Sequence, residues 1–123
     1  MNKEYKSEEV GQEISCVMEG IDNSLLNDNE SLKNILLDSL KKEGFGILDV
    51  SCHEFEPQGF TMMVLLSESH LAIHTYPEHN SIYFNMYSCR GPKDSIATFK
   101  NFRKALNPSK ILYHKDEKVR VGA

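Results

Sequence analysis

The centre of the sequence reads SESHLAIHTYPEH over residues 67–79, and this stretch joins two apolar runs. The first run is FTMMVLL, residues 60–66, and the second is IYFNMYSC, residues 82–89. Both runs are short and rich in β-branched and aromatic residues, which predicts two strands. Because the joining stretch also alternates between apolar and polar residues, we expect a further strand inside it.

Alternation within this stretch separates two sets of side chains. Leu71, Ile73 and Thr75 fall on one face of the predicted strand, and His70, Ala72 and His74 fall on the other. Covering a strand face that carries two histidines removes their hydration, which costs free energy unless the imidazoles have partners or a chemical task. The stretch is therefore the first candidate for a functional site.

Two amphipathic helices are predicted on either side of these strands. One is expected from a cap at Asp28, Asn29 or Ser31 to about Lys42, with Gly44 just after its end. The other is expected over residues 93–106, where Pro92 suits the first helical position. Each carries an apolar stripe at helical spacing: Leu32, Ile35, Leu36 and Leu40 in the first, and Ile96, Phe99, Phe102 and Leu106 in the second.

The remaining pattern predicts the architecture. Strands are expected over residues 11–18, 47–55, 60–66, within 67–79, over 82–89 and over 111–114. Turn residues lie at 20–24 and at 57–59, and tight turns between consecutive strands favour an antiparallel sheet. We expect one domain over residues 1–123: an α+β two-layer sandwich with two helices on one sheet face, a flexible tail at 1–9 and a charged tail at 115–123.

Composition excludes several classes of protein. The net charge of −4 comes without a basic patch, which argues against a nucleic-acid partner, and no apolar run approaches the roughly 20 residues that span a membrane. Cys16, Cys52 and Cys89 lack CxxC spacing and are odd in number, which favours a reducing cytoplasm over a disulfide framework. A chain of this size with helices on one sheet face predicts a homodimer.

Three elements of the central region resemble a known family. They are Glu68-Ser69-His70, then His74-Thr75-Tyr76-Pro77-Glu78, then Cys89. In identity and spacing they are similar to the short, prokaryotic class of S-adenosylmethionine decarboxylases, which are self-processing enzymes of polyamine biosynthesis. The resemblance runs from about residue 11 to residue 113.

The resemblance implies a cofactor made from the chain itself. Decarboxylation of an α-amino acid leaves a carbanion, and a carbonyl that condenses with the substrate amine can accept its electrons. In the family the chain cuts itself at the Glu-Ser bond, so Glu68-Ser69 is the implied cleavage site and Ser69 the precursor of a pyruvoyl group. The implied products are residues 1–68 and 69–123. Residues 60–89 contain no lysine, the residue that pyridoxal phosphate enzymes use.

Further roles follow from the resemblance, residue by residue. His74 matches the histidine that moves the proton during processing, and Thr61 falls where the family has a serine that assists it. Cys89 matches the general acid that returns a proton to the substrate Cα. Phe55 falls where an aromatic ring stacks on adenine, and Glu78 falls where a carboxylate binds ribose.

Departures from the family pattern leave the substrate open. Gly11, Gln12 and Glu13 stand where Gly-Arg-His is common, and FNMYSCRG, residues 84–91, places Asn85 and Arg90 at unusual positions. Arginine or ornithine is therefore an alternative substrate, with Glu13 or Glu78 pairing with its cationic end.

Other classes stay open as well. The chain could be an unprocessed partner subunit of a related enzyme, or a small ligand-binding domain. His70, His74 and His79 could bind a metal, although a matching carboxylate or cysteine set is missing from the pattern, and we expect no metal.

Overall fold

The computed structural model describes residues 8–91 and 94–122, and it contains a six-stranded antiparallel sheet. The strands are β1 (Val10–Glu19), β2 (Ile47–Glu54), β3 (Phe60–Leu66), β4 (Ser69–Tyr76), β5 (Ser81–Ser88) and β6 (Lys110–Arg120). Their order across the sheet is β2-β3-β4-β5-β1-β6, and each neighbouring pair is antiparallel. The helices are α1 (Asn23–Leu26), α2 (Asn29–Lys42) and α3 (Asp94–Leu106), with a 3₁₀ turn at Pro77–His79.

Helix α2 begins and ends where its sequence predicts. The Asp28 side chain caps it by accepting a hydrogen bond from the Ser31 N–H at 3.1 Å. Gly44 follows the last turn with a φ of 73°, a left-handed conformation that glycine adopts without steric cost. The predicted start of α3 at Pro92 and Lys93 lies outside the described residues, and within them α3 begins at Asp94.

The hydrophobic core lies between the sheet and the two longer helices. Phe84 of β5 packs at its centre, with ring centroids 5.6 Å from Phe99 and 5.7 Å from Phe102 of α3. In β4, Leu71, Ile73 and Thr75 are buried. The predicted alternation is thus confirmed, and so is the α+β two-layer sandwich with an antiparallel sheet.

The opposite face of the sheet has no helix over it among the described residues. Met63 and Leu65 of β3 point to this face and are 55% and 53% exposed. His70 of β4 lies on the same face beside Tyr87 of β5, with ring centroids 6.2 Å apart. We call this surface the open face.

The charged tail predicted at residues 115–123 is wrong for most of its length. Residues as far as Arg120 belong to β6, which pairs along β1 from Val10 opposite Arg120 to Glu19 opposite Lys110. This strand lies at the edge of the sheet, where charged side chains can reach water. Its sequence therefore lacks the apolar alternation by which the inner strands are predicted. A register shift near Ser15 and Val17, with Tyr113 at a φ of 51°, further interrupts the pattern.

Two smaller predictions also need correction. The turn expected at residues 20–24 leads into the short helix α1, where the Asp22 side chain accepts a hydrogen bond from the Ser24 N–H at 3.1 Å. The flexible tail expected at residues 1–9 does not include Glu9, because its carbonyl accepts a hydrogen bond from the Val121 N–H at 2.7 Å. Residues 1–7 lie outside the described residues.

In the part of the chain that the structure describes, no helix is both long and apolar enough to cross a membrane.

Gln12, at an unusual position in the sequence pattern, joins three elements. Its side-chain oxygen accepts hydrogen bonds from the first N–H groups of α3, at Ser95 (2.8 Å) and Ile96 (3.0 Å). Its amide nitrogen donates to Asp116 of β6 at 2.8 Å. Gln12 itself is only 3% exposed, so its side-chain amide depends on these partners for its hydrogen bonds, although Asp116 lies at an exposed position.

We expect Gln12→Ala to lower the free energy of unfolding by about 1–3 kcal/mol, the usual cost of leaving buried polar groups without partners. Urea denaturation followed by circular dichroism measures this change. The control is Lys100→Ala at an exposed position of α3, which is expected to change stability by less than about 0.5 kcal/mol. Equal, small changes in both variants would contradict the role given to Gln12.

Candidate active site

Pairing between β4 and β5 places Cys89 against the predicted cleavage site. Ser69 lies opposite Ser88 in the ladder, so the next residue of β5's chain, Cys89, meets Glu68. The Cys89 N–H donates to the Glu68 carbonyl at 3.3 Å and to the Ser69 hydroxyl at 3.3 Å. The Cys89 thiol donates to the same Glu68 carbonyl. We call Glu68, Ser69 and Cys89 the cleavage cluster.

This geometry polarises the Glu68–Ser69 peptide bond. Two donors from Cys89, one backbone and one side-chain, converge on the Glu68 carbonyl oxygen. Donors fixed at a carbonyl oxygen stabilise the negative charge that appears there when a nucleophile attacks the carbon. The Ser69 hydroxyl is the neighbouring nucleophile on the same scissile bond, so the cluster is suited to an N-to-O acyl shift.

The three cysteines lie in different surroundings. Cys16 is fully buried in the core, and burial raises the pKa of its thiol to about 11, which keeps it protonated and unreactive. Cys52 is exposed on β2, and partial desolvation raises the pKa of its thiol as well. Cys89 is half-buried at the cleavage cluster. Its position, unlike that of the other two, combines access with a contact to the predicted cleavage site.

Thr61 and His74 form a second group at the other end of the same strands. They lie opposite each other in the β3–β4 ladder, and the Thr61 hydroxyl is hydrogen-bonded to His74 Nδ1 at 3.1 Å. Both line a cavity of about 260 Å³, which we call the Thr61–His74 pocket. Its other lining residues are Phe55, Gln58, Gly59, Thr75, Tyr76 and Glu78.

The two groups are far apart within the chain. Ser69 and His74 are five residues apart along β4. At about 3.3 Å of rise per residue this is roughly 16 Å, beyond the reach of a hydrogen bond. The structure therefore brings Glu68, Ser69 and Cys89 together, and it brings Thr61, His74, Phe55 and Glu78 together, but it does not join the two sets in one chain.

Phe55 and Glu78 are held at the rim of the pocket by local contacts. Phe55 follows β2, is 51% exposed, and meets the His53 ring edge-on with centroids 4.5 Å apart. Glu78 lies in the 3₁₀ turn, which Asn23 of α1 fastens by donating to the Pro77 carbonyl at 2.9 Å. Sequence reasoning missed Asn23, because a single asparagine in turn-forming sequence gives no sign of a contact with a distant loop.

The residues that depart from the family pattern take different places. Glu13 lies opposite Tyr87 in the β1–β5 ladder, and Asn85 lies opposite Ala72 in the β4–β5 ladder. Neither lines the Thr61–His74 pocket. Arg90 follows Cys89 directly and forms an ion pair with Asp94 of α3 at 2.8 Å. The sequence carried no signal for this role beyond the presence of an arginine.

The histidines considered as metal ligands do not form a group. His70 and His74 share the open face as predicted, whereas His79 lies in the 3₁₀ turn. Within residues 8–91 and 94–122, no three side chains of histidine, cysteine, aspartate or glutamate are grouped as a metal site requires.

Comparison with known proteins relates the chain to one family. A family model described as S-adenosylmethionine decarboxylase matches residues 12–118. The S-adenosylmethionine decarboxylase proenzyme 2 of Bacillus anthracis is 46% identical over 79 residues, which is 64% of this chain and 64% of that protein. The S-adenosylmethionine decarboxylase proenzyme of Brevibacillus brevis is 37% identical over 100 residues, covering 81% of this chain and 75% of that protein.

A solved structure matches more of the chain. The crystal structure of the adenosylmethionine decarboxylase from Aquifex aeolicus superposes with a TM-score of 0.81 and 25% sequence identity, over 95% of this chain and 94% of that one. The match of the family model covers both the cleavage cluster and the Thr61–His74 pocket. The resemblance predicted from Glu68-Ser69-His70, from residues 74–78 and from Cys89 is thereby confirmed: this chain belongs to the S-adenosylmethionine decarboxylase family.

Proposed function

We propose that this chain is a self-cleaving, pyruvoyl-dependent S-adenosylmethionine decarboxylase of polyamine biosynthesis. The observation that carries the proposal is the convergence of the Cys89 N–H and thiol on the Glu68 carbonyl, beside the Ser69 hydroxyl. Membership of the family supports it, and the names of the relatives supply the substrate. Catalysis takes place in the cytoplasm, consistent with an odd number of cysteines without CxxC spacing.

Self-cleavage begins with the hydroxyl of Ser69. Its oxygen attacks the Glu68 carbonyl carbon, the C–N bond breaks, and an ester with a liberated Ser69 amine results. Removal of the Ser69 Cα proton then expels Glu68 as a carboxylate and leaves dehydroalanine. After tautomerisation, water replaces the nitrogen, ammonia leaves, and a pyruvoyl group remains on residue 69. Atoms and charge balance without an external oxidant, and the products are residues 1–68 and 69–123.

The proton acceptor for these steps comes from a second copy of the chain. His74 is the histidine suited to the task, and its bond to Thr61 orients the ring, yet about 16 Å of strand separates it from Ser69 in its own chain. The open face, with Met63 and Leu65 exposed, supplies the surface for a two-fold contact. In this homodimer each protomer lends its Thr61–His74 pocket to the cleavage cluster of its partner.

The same arrangement forms the substrate site. A pyruvoyl group at residue 69 would supply a carbonyl that could condense with the substrate amine and accept electrons as carbon dioxide leaves. Phe55 stacks on the adenine, and the Glu78 carboxylate accepts hydrogen bonds from the ribose hydroxyls. Cys89 holds the proton that Cα receives, and its half-buried position keeps the thiol at the reacting end of the site.

Ser69→Ala is expected to abolish cleavage, because alanine offers no nucleophile. The measurement is the intact mass of purified protein after prolonged incubation, together with a denaturing gel. The wild type is expected to give two chains and a ketone at residue 69 that reacts with hydrazides. Ser24→Ala, an exposed serine of α1, is the control and is expected to cleave like the wild type. An intact wild-type chain in fully folded protein would refute self-cleavage.

Sharing of the site between protomers is tested by mixing two inactive variants. Ser69→Ala and His74→Ala are each expected to remain uncleaved when expressed alone. When the two are co-expressed, mixed dimers contain an intact Ser69 in one chain and an intact His74 in the other. We expect the His74→Ala chain to be cleaved in these dimers, which mass spectrometry identifies by the mass of each product. Absence of cleavage in isolated mixed dimers would mean that the site is completed within one chain.

Substrate choice is tested with cleaved protein and carboxyl-labelled S-adenosylmethionine, arginine and ornithine, each offered alone. Release of labelled carbon dioxide is expected from S-adenosylmethionine. Phe55→Ala is expected to lower kcat/KM about 5- to 150-fold, corresponding to the 1–3 kcal/mol of stacking on a base. Phe55→Tyr keeps a ring at this position and is expected to stay near the wild type. Release from arginine or ornithine alone would overturn the substrate and leave the pyruvoyl chemistry standing.

A further inference from the structure

Arg90, the residue after Cys89, makes contacts that reach both longer helices. Its Nε and Nη2 atoms donate to the two carboxylate oxygens of Asp94, at 2.8 and 3.0 Å. Nη1 and Nη2 also donate to the carbonyls of Gly44 at 3.2 Å and Glu43 at 3.0 Å, just past the end of α2. The guanidinium lies 3.7 Å from the centroid of the Phe45 ring. The side chain thus fixes the corner that follows β5.

The loop of residues 43–46, which accepts hydrogen bonds from Arg90, also contacts the residue that precedes Glu68. Ser67, which precedes Glu68, donates its backbone N–H to the Gly46 carbonyl at 2.9 Å. Gly46 leaves little room there, since a Cβ on it would lie 2.4 Å from the Ser67 hydroxyl. Residues 43–46 therefore contact both chain segments next to the cleavage cluster: the segment before Glu68 through Ser67, and the segment after Cys89 through Arg90.

Ser88, the residue before Cys89, belongs to the same hydrogen-bond network. Its hydroxyl donates to the Asp94 carboxylate and accepts a hydrogen bond from the Arg90 N–H at 3.3 Å. Ser88 is fully buried. Hydrogen bonds with Asp94 raise the pKa of Arg90, and the nearby carboxylates of Glu68 and Glu43 contribute in the same direction, so the guanidinium stays charged throughout. Cys89 is therefore flanked on both sides by residues bonded to Asp94.

We propose that Arg90, through Asp94 and residues 43–46, is a positioning residue that holds the Cys89 N–H and thiol on the scissile carbonyl and then on the reacting carbon. This inference rests on the proposed function. A thiol displaced by about 1 Å polarises the carbonyl less well and delivers its proton less accurately, and such displacements cost up to about 100-fold in rate. Arginine is required because a lysine has no planar fork and cannot match its paired bonds.

The test compares Arg90→Lys and Asp94→Asn with Arg120→Lys. Arg120 is the matched control, because it is an exposed arginine in an ion pair with Glu9 at 3.3 Å, on β6. Two quantities are measured: the half-time of self-cleavage in freshly refolded, uncleaved chain, and the number of products formed per site before inactivation. Inactivation would follow protonation of the cofactor carbon in place of the substrate Cα, which would leave the substrate nitrogen on the chain and release the product as an aldehyde.

We expect Arg90→Lys and Asp94→Asn each to lengthen the half-time about tenfold and to lower the products per inactivation about tenfold. Arg120→Lys should match the wild type in both. Circular dichroism first shows that each protein is folded. If Arg90→Lys does not fold, the two quantities measured for Asp94→Asn test the inference. Loss of thermal stability with both quantities unchanged would overturn the inference and leave the proposed function intact. Failure of the wild type to cleave would overturn both.

Discussion

The antiparallel pairing of β4 with β5 is the constraint on which the candidate site depends. It sets Ser69 opposite Ser88, and this register alone brings Cys89 to the Glu68 carbonyl. Since side chains alternate with a period of two, a slip of one residue would turn His74 toward the helices and Ile73 toward the open face. The buried aliphatic side chains of β4 resist such a slip, so the packing of the core also fixes the geometry of the chemistry.

Much of the fold follows from hydrophobic periodicity. The alternation of residues 71–75 and the stripes of the two helices predicted the two-layer arrangement, because each element buries one face against the other layer. Strand β6 escaped prediction beyond residue 114, because an edge strand bonded to β1 needs no apolar alternation to be stable. The short helix α1 was missed for a related reason: its four residues hold too little pattern to separate a helix from a turn.

The sequence predicts which residues belong to the candidate site but not how they are arranged in space. Resemblance to a family assigns roles to Ser69, His74 and Cys89, yet spacing in sequence does not give distance in space. An extended strand turns five residues into roughly 16 Å, whereas a helix would have brought the same two side chains closer together. The network around Arg90 was still harder to predict from the sequence, because its partners Glu43 and Gly44 lie 47 and 46 positions away in the chain.

In the proposed dimer, division of the site between two protomers links assembly to cofactor formation. An isolated chain holds a polarised Glu68 carbonyl, but its own His74 is separated from Ser69 by about 16 Å of strand, so the proposed ester step has no proton acceptor from that residue. In this proposal cleavage follows dimerisation, and the break in the chain forms where two subunits already enclose it. Contacts on both sides of the proposed break hold the chain in place: the Ser67 N–H donates to the Gly46 carbonyl, and β4 is held by its ladder with β5. The proposed cleavage at the start of β4 would therefore leave intact the strand register that the chemistry requires.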